Sequence, residues 1–372
     1  MITLGDVLAR YGGAYLQRYG ERLPARQRRV LRSIRDCQTG RLGWVEYRCA
    51  DCGRSHRTEK SCGDRHCPTC QTSKNGDWCA AQVGRLLPCD YFLVTFTIPS
   101  ELRRLVRGHQ RICYPALFAA AAHALRTALS HLRFCGAAVT GFTGILHTFG
   151  RDLNYHPHVH CIVPGGGLAR DAAGNGRWVE TPRNFLAPVK VLSQLYRAEF
   201  ERILQQQGIA GLVAPELFRL PFIVDCQPVG DGVSAVKYLS RYVYRTALTN
   251  RRIVSLDDGH VTFRYRKRGA TQDSTMRLPA AAFIARFLQH VLPRGLQKVR
   301  HYGFHSRASQ TTLDAVRAAI EAARAEDEPD YELCAWSPPV LVRRPGGEHI
   351  CSACGGPLEF VQVVKPLWRD TS

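Results

Sequence analysis

A chain of 372 residues with 45% hydrophobic side chains has room for two or three domains and enough apolar mass to bury a core, which excludes wholesale disorder. Its 51 Lys and Arg stand against 31 Asp and Glu, and the net charge of +20 points to a polyanionic partner, nucleic acid first. No cationic stretch leading into an apolar run opens the sequence, and the most apolar helix, expected at 114–132, is broken by His123, Arg126 and His131; a core helix, no membrane contact and a place in the bacterial cytosol or nucleoid are expected.

Residues 1–36 read as helical and basic, with Pro24 suited to a first helical turn ahead of the apolar spacing Val30, Leu31, Ile34. Residues 37–80 are rich in cysteine. Cys49-x-x-Cys52 and Cys67-x-x-Cys70 are separated by 14 residues, a zinc-ligand spacing, and these four thiolates are the expected tetrahedral Zn2+ site. Cys62, His66 and Cys37 stand in reserve, to displace one of the four or to build a second site. Closed thiolate coordination leaves no open position, so the metal is expected to be structural.

After Pro88 the pattern changes. Tyr91-Phe-Leu-Val-Thr-Phe-Thr-Ile98 is β-branched and aromatic and closes at Pro99, which predicts a buried strand. An Ala/Leu-rich helix follows, then strands at 137–149 and 157–163, the second ended by Gly165-Gly-Gly167. Helices are expected at 188–207 and 231–247. Residues 251–268 read as a hairpin turning at Asp257-Asp-Gly259, with Val261, Phe263 and Tyr265 on one face and Thr262, Arg264 and Arg266 on the other. Helices follow at 280–292 and 310–325. The Pro-rich tail carries Cys351-x-x-Cys354, half a zinc ribbon whose partners are sought in His349 or Cys334. Strands mixed with helices predict an α+β fold with an antiparallel sheet. The expected domains are 1–87, 88–308 and 309–372.

Two segments carry chemistry. In His156-Pro-His-Val-His160, strand alternation places His158 and His160 on one face, roughly 7 Å apart at Cα. Two imidazoles so spaced converge on one cation at about 2.1 Å each. An isolated His-x-His is more often a surface cluster, but this one lies between the apolar runs 144–149 and 161–163, where polar groups need partners. His156 shares that face behind Pro157, as a third ligand, a supporting group or a DNA contact. In Lys237-Tyr-Leu-Ser-Arg-Tyr-Val-Tyr-Arg245, Tyr238 and Tyr242 stand at i and i+4 on one helical face, with Tyr244 turned away. A phenol, with a pKa near 10, attacks only a phosphorus already polarised, which a divalent ion on the histidines would supply. By spacing alone the two tyrosines read more readily as amphipathic core aromatics than as nucleophiles, and the charge around them shifts that balance. Between residues 237 and 307, 15 Lys/Arg face three acidic residues, a basic surface with interleaved aromatics that suits single-stranded DNA. Lys237, Arg241, Arg245, Arg264, Arg266, Lys267 and Arg268 are its expected contacts.

Together these residues resemble a known family. The run 61–70, Ser-Cys-Gly-Asp-Arg-His-Cys-Pro-Thr-Cys, is similar to the N-terminal zinc motif of rolling-circle transposases of the insertion-sequence ninety-one type. Leu146-His-Thr-Phe-Gly150, His156-Pro-His-Val-His160 and Pro164-Gly-Gly-Gly167 resemble their HUH motif. Tyr238-Leu-Ser-Arg-Tyr242 resembles their two-tyrosine motif, and Arg300-His-Tyr-Gly-Phe304 a further block near the end of their catalytic domain. The resemblance spans residues 20–305, with Asp64 where the family has Asn. It implies an HUH endonuclease-like antiparallel sheet with flanking helices plus a small zinc-binding module. It implies Mg2+ or Mn2+ at His158 and His160, with a third ligand among Asn154, His156 and His147. It further implies 5′-phosphotyrosine intermediates at Tyr238 and Tyr242, acting on single-stranded element ends and target DNA. A plasmid relaxase or replication initiator of the same chemistry, a non-catalytic zinc-dependent DNA-binding protein and a metal-dependent hydrolase are the competing readings.

Overall fold

The computed structural model describes residues 1–71, 75–170, 176–243, 247–266, 270–327 and 349–365, and for 75–77, 241–243 and 327 the backbone alone. The chain opens with two helices, α1 (Leu4–Tyr19) and α2 (Ala25–Arg35). Thr3 and Asp6 form a capping box on the first, and Pro24 stands at the N-cap of the second, whose buried side chains are the expected Val30, Leu31 and Ile34. A hairpin of β1 (Trp44–Cys49) and β2 (Ser55–Glu59) follows, then α3 (Pro68–Gln71) and α4 (Asn75–Val83).

The next stretch builds the main sheet: β3 (Tyr91–Thr97), α5 (Arg103–Gly108), α6 (Gln110–Ser130), β4 (Phe142–Phe149), β5 (Tyr155–Pro164), β6 (Gly166–Arg170), β7 (Gly176–Glu180), α7 (Val189–Gln206), β8 (Ile223–Pro228) and α8 (Val233–Val243). The expected strand over 137–149 starts only at Phe142; before it, Val139 makes an isolated bridge to Leu168. The glycine triplet does end β5, which stops at Pro164, and the chain turns at once into a new strand. Gly166 opens β6, and a Cβ there would lie 2.4 Å from the Trp178 ring, so the glycine is a packing requirement.

The remaining elements are β9 (Ile253–Asp257), β10 (His260–Tyr265), β11 (Ser274–Pro279), α9 (Ala280–Leu288), β12 (Val299–Tyr302), α10 (Leu313–Asp327) and β13 (Leu358–Val364). The fold is α+β with antiparallel sheets, as expected. The main sheet runs β12-β4-β5-β3-β8. One of its faces, with Phe92, Val94, Phe96, Val159, Cys161 and Val163, is buried under α6 and α7. Each such large side chain contributes about 2 kcal/mol of burial. Among the described residues α6 is the one helix long and apolar enough to cross a membrane, and 67% of its most apolar stretch is buried inside the protein.

The opposite face carries Leu93, Ile145, Ile162 and Val299, which pack with Val236 and Leu239 of α8, Val83 of α4, and Val316 and Ile320 of α10. A second sheet, β9-β10-β11, buries Val261 and Phe263 against α9 and α1 and turns Arg264 and Arg266 outward, as the alternation predicts. The tail is not a separate appendage: β13 pairs with β1 and completes a third sheet, β13-β1-β2.

Gly303 follows β12 with φ of +53°, and a Cβ built on it would stand 1.5 Å from the Thr140 carbonyl oxygen. That oxygen belongs to backbone and has nowhere to go. Gly303→Ala should destabilise the protein by more than about 3 kcal/mol, adding overpacking to left-handed strain, and a thermal unfolding midpoint close to wild type would contradict this.

Candidate metal centre and the helix beside it

β4 and β5 are neighbours in register, with Ile145 opposite His160 and His147 opposite His158. Alternation then turns all three histidines to the same face of the sheet. The ligand nitrogens of His147, His158 and His160 lie within 4.8 Å of one another. Ring centroids are 5.3 Å apart for His147 and His158, 4.6 Å for His147 and His160, and 4.8 Å for His158 and His160. The two expected ligands are brought together, and His147 joins them. Of the three residues open for the third position, His147 is the one that stands beside this pair.

Hydrogen bonds fix which nitrogen faces the centre. His158 Nδ1 donates to the His156 carbonyl at 2.7 Å, which leaves its Nε2 as the lone pair. His160 Nδ1 pairs with Thr95 Oγ1 at 2.8 Å on the adjacent strand. Burial, and then the neighbouring imidazoles, push His147 and His158 well below the ordinary histidine range, and His160 down to about 4. All three are neutral at pH 7, the form in which imidazole binds metal.

His156 is a correction. Its ring lies 5.0 Å from that of His158, but its nitrogen is outside the trio and takes a hydrogen bond from Arg103 Nη2 at 2.7 Å. Pro157 sits between, and the extra residue step carries His156 along the strand toward α5. Asn154 lies in the turn before β5, exposed and bonded to Asp152.

Tyr238 stands on α8 with 43% of its surface exposed. The inward side of α8, Val236 and Leu239, packs with Ile145 and Ile162. Those two isoleucines are two residues along from His147 and His160 on the same strands and the same face, so α8 belongs to the cluster on the histidine side of the sheet. The backbone of Tyr242 and Arg241 is helical, while their side chains lie outside the described residues. Arg245, Lys267 and Arg268 also lie outside them. Lys237 and Arg264 are exposed, and Arg266 pairs with Asp273 at 2.8 Å.

A groove of about 620 Å3 beside edge strand β12 was not anticipated. Arg65, Lys298, Arg300 and Arg307 line it. Burial and the charge of Arg65 bring Lys298 down to about 7. Lys298 Nζ lies 5.9 Å from the Phe149 ring, which stacks on His147, so groove and trio adjoin. The only sign in the sequence is that the basic excess runs on to Arg307.

The cysteines regroup. Cys49 and Cys52 do not meet Cys67 and Cys70. Cys62, Cys67 and Cys70 gather with Cys37, and Cys49 and Cys52 gather with Cys351 and Cys354, in two separate groups. The hairpin of β1 and β2 carries the first knuckle away from the second. His66 is no ligand in reserve: it is buried, with Nδ1 2.7 Å from Asp64 and Nε2 accepting from the Leu292 amide at 3.0 Å. Burial raises the Asp64 carboxyl, but bonds from His66 and the charge of Arg26 prevail and hold it at about 2. Arg65 donates to the carbonyls of Leu296 and Pro293. This Asp-Arg-His triplet therefore ties the cysteine module to the segment that leads into β12.

Residues 7–98 match the family described as "Transposase zinc-binding domain", and residues 141–312 match the family described as "Putative transposase". A protein of Sinorhizobium fredii named "Putative transposase y4qJ" is 35% identical over 322 residues, 81% of this chain and 79% of that protein. The "Transposase for insertion sequence element IS801" of Pseudomonas savastanoi pv. phaseolicola is 26% identical over 347 residues, 89% of this chain and 82% of that one. No solved structure matches the chain.

Proposed function

Because the chain belongs to the IS91 (insertion-sequence ninety-one) family of rolling-circle transposases, DNA-processing proteins with a structural zinc-binding domain, we propose that it cuts and rejoins single-stranded DNA through tyrosines 238 and 242. The observation that carries this reading is the trio His147, His158 and His160 on the same side of the sheet as the tyrosine helix. The donor set fits a divalent cation: three neutral imidazoles, two of them oriented by hydrogen bonds at their far nitrogens. Imidazole is a softer ligand than the oxygens Mg2+ prefers, so Mn2+ should be held more tightly than Mg2+.

Bound there, the ion would polarise a phosphodiester and offset the charge that builds on it. The phenol oxygen of one tyrosine forms a bond to phosphorus in line with the bond to the 3′ oxygen, which breaks. The phenol gives up its proton, the released 3′ oxygen takes one up, and the 5′ phosphate stays on the tyrosine. Because the phosphoester is conserved, a 3′ hydroxyl reverses the step without a nucleotide cofactor. The second tyrosine, one helical turn away, receives the next strand while the first is occupied. Arg65, Lys298, Arg300 and Arg307 in the groove, with Lys237 and Arg264 outside it, suit the phosphates on either side.

The test is incubation with single-stranded DNA carrying element ends, with Mn2+ in place of Mg2+ in a parallel series. A DNA–protein adduct that survives denaturing electrophoresis, at lower Mn2+ than Mg2+ concentration, is expected. Binding with no adduct under either ion would leave a non-catalytic zinc-dependent DNA-binding protein.

A further inference from the structure

The second cysteine group is assembled from residues three hundred positions apart. Cys49 Sγ lies 3.5 Å from Cys354 Sγ, and Cys52 Sγ 3.7 Å from Cys351 Sγ. All four sulfurs fall within 4.8 Å of one another. A tetrahedron of thiolates, each about 2.3 Å from zinc, has edges of about 3.8 Å, so the four need almost no movement to close on an ion.

The two halves are built alike. Gly53 N donates to the Cys49 carbonyl at 3.0 Å, and Gly355 N to the Cys351 carbonyl at 2.9 Å. Both glycines are left-handed, with φ of +69° and +79°. Each Cys-x-x-Cys thus closes the same tight turn, which brings its two sulfurs to one side. The Ala353 amide points at Cys351 Sγ at 3.4 Å, a donor that favours the thiolate form. His56 Nε2 lies 3.1 Å from the same sulfur.

The surroundings hold the halves in place. β13 pairs with β1 from Trp44 opposite Val364 to Cys49 opposite Leu358, and the Ala50 amide extends the ladder to the Pro357 carbonyl at 3.1 Å. Cys49 and Cys351 are buried, while Cys52 and Cys354 are exposed. The zinc-binding-domain match ends at residue 98 and holds only half of this group.

We propose that Cys49, Cys52, Cys351 and Cys354 bind a second zinc ion, distinct from one on Cys37, Cys62, Cys67 and Cys70, and that this ion clamps the C-terminal strand onto the N-terminal module. The clamp joins segments that precede and follow the DNA-processing domain in the sequence. Its exposed side makes it the first of the two sites to yield metal to a chelator.

Elemental analysis of the full chain purified under reducing conditions should find two zinc ions per chain. Cys351→Ser with Cys354→Ser should leave one, with 349–365 newly open to limited proteolysis. If that variant fails to fold, Cys354→His restores a nitrogen ligand and should keep two. Cobalt titration of the wild-type chain should give thiolate-to-cobalt absorption that rises through two equivalents. A single zinc in the wild type, two in the double serine variant, absorption that stops at one equivalent, or disulfides among these four cysteines in mass spectra would each overturn the clamp.

Discussion

Tyr238→Phe combined with Tyr242→Phe should lower the yield of covalent DNA–protein adduct by about 1,000-fold or more, because loss of a nucleophile has no substitute within the site. DNA affinity should stay within a few-fold of wild type, since the substitution keeps the ring that stacks on a base and removes only the hydroxyl. The Tyr238 change should leave folding unaffected: Tyr238 is 43% exposed on α8, and the buried residues of this helix include Val236 and Leu239. A surface change of that kind costs at most about 0.5 kcal/mol. Each single variant separates two uses of the pair. If either tyrosine alone starts the reaction, each single variant still forms an adduct, and only transfer of a second strand fails. Mass mapping of the modified peptide reads the outcome directly. An undiminished adduct in the double variant would move the nucleophile elsewhere, with Tyr244 next to be tried.

Much of this site was legible in the sequence, and what was not depended on contacts between distant segments. Strand alternation alone put His158 and His160 on one face, and the run from Tyr91 announced the strand that supplies Thr95 to His160. The hairpin ending in Tyr265 was likewise visible from its turn and its alternation. His147 could not be selected from Asn154 and His156, because its position depends on the register between β4 and β5, and a slip of one residue would turn it to the α6 side. The cysteine grouping failed for the same reason. Spacing joins neighbours in sequence, whereas Cys49 and Cys354 are 305 residues apart and meet only because β13 pairs with β1. β12 was missed because Val-Arg-His-Tyr is too short and too polar to read as a strand, although it forms the edge of the sheet and one side of the cationic groove.

The register makes a second large prediction, one that separates His147 from His156. His147→Ala should raise the Mn2+ concentration that supports half-maximal adduct formation by about 100-fold or more. Loss of a group that merely orients a ligand costs about 10- to 100-fold, and loss of a ligand should cost no less. His156→Ala should change it by only a few-fold, since the atom of His156 that orients His158 is its backbone carbonyl, which alanine keeps. Equal effects of the two substitutions would return His156 to the metal. Stability supplies an independent reading. The three imidazoles are buried and neutral, so their folded pKa values lie below the ordinary 6.5, reaching about 4 for His160. As pH falls, the unfolded chain takes up protons first. The stability these groups contribute is therefore full above about pH 6.5 and is lost as pH falls, His160's share by about pH 4. Mn2+ binds only the neutral imidazoles of the folded protein, so saturating Mn2+ should raise the thermal midpoint and carry it to lower pH. In His147→Ala that Mn2+-dependent rise should largely vanish. A wild-type midpoint at pH 6 indifferent to Mn2+ would take the ion away from these histidines altogether.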